Sequence, residues 1–170
     1  VSGMCLPPIY SSYAILNVYA EPSILTQPVD ADVCDNSTVI YYAQVYTTAA
    51  GETMQWQVDQ GSGWTNLSEG GIYSGVLGPQ LIISSATTSM NGWHYRLQIT
   101  GPCGTYFSNT VLLTVNAMPD AQISPQDTML VCGGVSTQLH GNPTGGTGTY
   151  VTHSWFGDVG PLSSYNVEDP

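Results

Sequence analysis

The chain contains no lysine and a single arginine, Arg96, against twelve acidic residues, which gives a formal net charge of −11. A surface with one fixed cation cannot neutralise a run of phosphates, so nucleic-acid binding is excluded as a function class. Attraction to an anionic lipid surface fails on the same ground. Charge of either sign is scarce, at 8 % of residues, so solubility rests on Ser, Thr, Asn, Gln and Gly. The acidic excess then discourages self-association. That balance suits an extracellular surface. Long apolar runs are missing too: none approaches the roughly 20 residues that span a bilayer, and this segment is not expected to insert into a membrane. "VSGMCLPP" has neither the basic start nor the apolar centre of an export signal, so a secreted protein would have lost that signal or carry it outside this stretch. No stretch shows a helical period with caps.

What is present is a 42 % apolar content, enough to fill a core, and an internal repeat. Cys5 and Cys34 stand 29 positions apart, and so do Cys103 and Cys132. Between them "SSYAILNVYAEP" (11–22) matches "SNTVLLTVNAMP" (108–119) in polarity and ends on Pro in both copies. Pro28 and Pro125 recur before the second cysteine of each pair. Cys5 to Cys103 sets the period at 98 residues, the size of one β-sandwich domain. Residues 1–20 therefore read as the last strand of a preceding unit, 21–117 as one complete unit, and 118–170 as the start of a third. The expectation is a stretch of a longer tandem array, its units joined by short stiff junctions at Ala20-Glu21-Pro22 and Met118-Pro119.

The complete unit reads as all-β. "STVIYYAQV" is rich in β-branched and aromatic residues, and "TMQWQV" alternates apolar with polar. "DQGSGW" is a Gly-rich hairpin turn, and "GPQLIISSA", "GWHYRLQIT" and "NTVLLTVN" are further strands. Turns every 8–12 residues fit a sandwich.

Trp56 stands where the core tryptophan of an immunoglobulin-like domain sits, and Tyr95 resembles the tyrosine of its tyrosine corner. Leu97 holds the place of the strand cysteine, so packed apolar groups are expected where that fold has a disulfide. The stretch from "WQVDQGSGWTNL" through "SMNGWHYRLQITGPCG" resembles the immunoglobulin-like repeats of large bacterial surface and gliding-type adhesins exported by type IX secretion. "DTMLVCGGVSTQLHGNPTGGTGTYVTHSWFGD", with Trp155, is similar to companion modules of such proteins. The resemblance implies tandem immunoglobulin-like β-sandwich domains in a secreted, repeat-built stalk or adhesin, with neighbouring domains as partners and surface glycans as a further class. Asp127-Thr128-Met129 resembles an O-glycosylation signal of the same bacterial group, which implies a glycan on Thr128.

Four cysteines at a repeated position argue for disulfides in an oxidising compartment. They allow three pairings. Cys34–Cys103 would close one unit and leave Cys5 and Cys132 to outside partners. Immunoglobulin topology, however, puts Cys34 and Cys103 at opposite ends, so a bond across a junction fits the geometry better.

Catalysis is not expected. The carboxylates lie mostly in turns, and His94, His140 and His153 show no ligand spacing. "GGTGTY" lacks the lysine of a phosphate loop and reads as a connecting loop. No cofactor is implied. Asp30, Asp32 and Asp35 in "DADVCD" are a weak calcium candidate set, against the plainer reading of a solvated turn. The aromatic residues, Tyr10, Tyr13, Tyr19, Tyr42, Trp64 and Tyr106 among them, exceed what one core holds, so some must lie outside, where such rings most often pack on a strand face but can also stack on sugars or anchor a neighbour. The reading reached is a structural or adhesive segment and not an enzyme. The alternatives are a filament subunit completed by β-strand exchange and a carbohydrate-binding module.

Overall fold

The computed structural model describes residues 10–47, 51–124, 138–150 and 154. Cys5, Cys132, Thr128 and Trp155 lie outside the described residues. The strands are β1 (Ser23–Thr26), β2 (Ala31–Cys34), β3 (Ser37–Tyr42), β4 (Gln44–Tyr46), β5 (Thr53–Asp59), β6 (Trp64–Asn66) and β7 (Tyr73–Ser74). They continue with β8 (Gln80–Ala86), β9 (His94–Gly101), β10 (Gly104–Phe107), β11 (Val111–Asn116), β12 (Ile123–Ser124) and β13 (His140–Gly141).

Two layers form. One sheet runs β2-β11-β9-β5-β6, with β10 alongside β9. The other layer is β3-β8-β7, and β1 and β4 form a separate two-stranded pair. Period-two alternation decides which side chains meet between them. Val39 and Tyr41 on β3, and Leu81 and Ile83 on β8, face Trp56, Tyr95, Leu97, Ile99 and Leu113 from the other sheet, all buried. Tyr41 is the hinge of that packing: its ring lies 6.2 Å from Trp56 and 5.4 Å from Tyr95. Burial pushes the hydroxyls of Tyr41 and Tyr95 well above the ordinary phenol range, so both stay protonated. Apolar packing thus fills the space between the sheets around Leu97.

Residues 11–20 make no strand pairing with the other described residues. Two local expectations are corrected. "DADVC", expected in a turn, contains β2, which pairs in parallel with β11 from Ala31↔Leu113 to Cys34↔Asn116. A four-residue edge strand, Ala-Asp-Val-Cys, gives too short an alternation to be read from sequence. Tyr95 does not make the tyrosine-corner bond to upstream backbone. Its hydroxyl lies 3.5 Å from that of Tyr73, because β7 brings a second phenol over it.

Ser108 closes the gap between β10 and β11. Its Oγ accepts the Leu97 N–H at 2.8 Å and donates to the Asn109 carbonyl at 2.8 Å. A side chain thereby replaces a ladder rung. Ser108→Ala leaves that buried N–H unpaired and is expected to cost about 1–3 kcal/mol. The check is thermal denaturation together with amide exchange, which should quicken at Leu97. An unchanged midpoint would mean that water reaches the site.

Candidate functional site

The unit has two poles, and the chain enters at one and leaves at the other. At the entry pole the turn after β9 carries Cys103, whose thiol points at the Tyr19 carbonyl, 3.6 Å away. Tyr106 donates its hydroxyl to the Cys103 carbonyl at 3.3 Å and also bonds Glu21; burial, that bond and the charges of Glu21 and Cys103 all raise its pKa. The segment before Pro22 is thereby tied to the β9–β10 turn.

At the exit pole β2 and β11 end together. The Asp35 N–H donates to the Asn116 carbonyl at 2.8 Å, and the Asp35 carboxylate accepts the Thr88 N–H at 2.9 Å. The next residues meet "PTGGTG" (143–148): the Gly146 N–H donates to the Ala117 carbonyl at 2.6 Å, and Asp120 and Thr144 exchange backbone bonds of 2.8 and 2.9 Å. Gly145, with φ +77, comes so close that a Cβ there would sit 2.2 Å from the Met118 carbonyl oxygen. Only glycine permits this approach. The segments around Pro22 and Pro119 are therefore each bonded to a turn. Sequence reasoning singled out Pro22 and Pro119 but gave no bonding role to Tyr19, Glu21, Gly145 or Gly146, whose partners are distant in the chain.

The remaining expected site residues fall as follows. Trp56, Tyr95 and Leu97 are fully buried in the core. Cys34 and Cys103 are exposed and free, so the in-domain disulfide is not formed. They stand at opposite poles, separated by the length of eight-residue β9, roughly 25 Å, whereas a disulfide needs Cα atoms within about 7 Å. The calcium set is likewise corrected. Asp30 accepts the Leu112 N–H, Asp32 accepts the Asn116 side-chain amide, and Asp35 is spent on Thr88 and Asn36. Each carboxylate is taken up by a different partner along the β2–β11 seam and its exit end, and among the described residues no group of three or more His, Cys, Asp or Glu comes together. Also among the described residues, no helix is long and apolar enough to cross a membrane.

The chain matches no protein-family profile and no curated protein sequence. Among solved structures it is similar to the I-band fragment I67-I69 of titin, with a TM-score of 0.59 and 18 % identity over 77 % of this chain and 45 % of that one. It is also similar to the N-terminal four Ig domains of Dscam1 isoform 4.44, with a TM-score of 0.54 and 19 % identity over 83 % of this chain and 36 % of that one. The chain thus spans less than half the length of either fragment. At such identities the likeness is one of fold, and the fold is an all-β, immunoglobulin-like β-sandwich.

Proposed function

We infer that the chain is a segment of a repeat-built, extracellular surface protein, a stalk or adhesin, divided at 1–20, 21–117 and 118–170. The observation that carries this is the stretch 14–18. Its Ala14, Leu16 and Val18 stand in register with Val111, Leu113 and Val115, which β11 buries in the core. Leu16 and Val18 are instead 86 % and 82 % exposed. A strand-patterned apolar face without a sheet is costly in water, at roughly 25 cal/mol per Å². It fits a sandwich of the same kind, placed before Pro22, in which this stretch serves as the last strand. Entry and exit at opposite poles, both tied to turns, support units strung in a line. The resemblance of "WQVDQGSGW" and "MNGWHYR" to gliding-type adhesins exported by type IX secretion supports a bacterial surface protein. The same exposed stretch also suits the second reading, a filament in which 11–20 is donated to another molecule.

The test is the mass of the native polypeptide on a reduced, denaturing gel, probed with an antibody raised against residues 21–117. A band far above 18.1 kDa is expected. A band at that mass would overturn the array and leave strand exchange as the way to cover Leu16 and Val18.

A further inference from the structure

The outward face of the larger sheet carries the chain's one basic residue in a built setting. Arg96, on β9, extends between two aromatic rings, its guanidinium carbon 4.1 Å from the Trp64 ring centroid and 4.0 Å from that of Phe107. Its Nε donates to Gln57 Oε1 at 2.8 Å. Gln57, only 8 % exposed, spends both amide hydrogens, on Asn66 Oδ1 at 2.8 Å and Gln98 Oε1 at 2.7 Å. Gln98 Nε2 donates in turn to Thr100 Oγ1 at 3.1 Å, which lies 3.3 Å from Thr105 Oγ1. One hydrogen-bonded line thus crosses β6, β5, β9 and β10 and fixes the arginine from below while the rings fix it from both sides.

An inventory of what this line leaves unused points to a ligand. The amide oxygens of Gln57, Gln98 and Asn66 all accept within the network. Among the described residues nothing accepts from the two Nη groups of Arg96, from Asn66 Nδ2 or from the second N–H of Gln98. The amides and the guanidinium therefore present only donors, around a planar fork that matches a carboxylate bidentately. Among the described residues no carboxylate pairs with Arg96. Asp59, the nearest influence on its charge, has its Oδ1 engaged by the Gly61 and Gly63 N–H groups at 2.8 and 2.9 Å.

We propose that this face binds a carboxylate borne directly on a sugar ring, a uronate, with Arg96 on the carboxylate, Asn66 and Gln98 donating beside it, and Trp64 and Phe107 walling the ring. The rings select the source. A thin aspartate or glutamate stem leaves both aromatic edges wet, Phe107 being 46 % exposed, whereas a pyranose covers them. The site lies within one sandwich, so it stands whether or not the units form a stalk.

Because Arg96 is the chain's only arginine, its Nε–Hε resonance is unambiguous in an NMR spectrum of the whole chain. Glucuronate is expected to shift it saturably in the millimolar range, at least tenfold more tightly than acetate, while glucose leaves it still. R96K should weaken glucuronate at least tenfold, and N66A several-fold, with melting followed in parallel. Four outcomes would overturn the proposal: no saturable shift in the wild type, glucuronate no better than acetate, glucose as effective, or a tetraglutamate peptide preferred. The last of these would make the face an acidic-peptide site.

Discussion

Trp56→Ala is expected to lower the unfolding free energy by about 3–5 kcal/mol, the range for emptying a core aromatic site. For a unit of this size that is a fall in melting midpoint of roughly 15–30 °C. The indole is completely buried and ring-stacked with Tyr41. It is also a strut for the loop between β7 and β8. Its Nε1–H donates to the Gly78 carbonyl at 3.0 Å, and its backbone N–H donates to the Val76 carbonyl at 2.8 Å. Alanine removes the volume and the Nε1 bond together, and leaves a carbonyl without its donor. Trp56→Phe separates the two contributions: it keeps most of the ring and forfeits only the hydrogen bond, about 1 kcal/mol. Thermal melts of the three proteins decide. If phenylalanine costs as much as alanine, the hydrogen bond to the loop outweighs the core volume, and the packing account above is wrong.

Gly75→Ala is expected to be nearly as damaging, on the order of 3 kcal/mol, although it adds one methyl group. Gly75 has φ +76, and a Cβ there would stand 2.2 Å from the Gln80 carbonyl oxygen. That oxygen belongs to the first residue of β8 and is not free to retreat. The loop is held on its other side as well, by the Val76 N–H on Glu69 Oε1 at 2.8 Å. Gly92 provides the contrast. Its φ is +86, but a Cβ there meets nothing within 4 Å. Gly92→Ala therefore meets only the backbone preference, about 1 kcal/mol. Equal losses at the two positions, measured by denaturant titration, would show that the loop yields and that the close approach to Gln80 is not a constraint.

The long strands were legible because their residues settle the question locally. β3, β5, β8, β9 and β11 each run for six to eight residues, long enough to show a pattern, and the buried positions of β9 and β11 follow the period of two. The short edge strands were not legible. β2, β6, β7 and β10 have two to four residues, too few for a period, and exist because a neighbour offers a ladder. The cysteine spacing revealed the repeat but not the state of the thiols, which depends on the distance between the poles. The aspartates of "DADVCD" made only a weak cation candidate against a solvated turn, and sequence could not show that each carboxylate is taken up by a different partner, Leu112, Asn116 and Thr88, all distant in the chain. On the sheet face, Arg96, Gln57 and Trp64 come from three strands and Phe107 from a fourth. No local pattern announces a network whose members are joined only by register, such as Gln57↔Arg96 and Phe107↔Gln98.

The parallel pairing of β2 with β11 has a mechanical side. The chain enters toward Ala31 and leaves beyond Asn116, so a pull on the two junctions drags these strands past each other along their length. Every rung between Ala31↔Leu113 and Cys34↔Asn116 then bears load at once, instead of opening one after another as in a hairpin pulled from its ends. In the proposed string of units, tension that has passed β1 and its pairing with β4 meets this short ladder next, where Asp30 on the Leu112 N–H and Asp32 on the Asn116 amide add two further ties across the same seam.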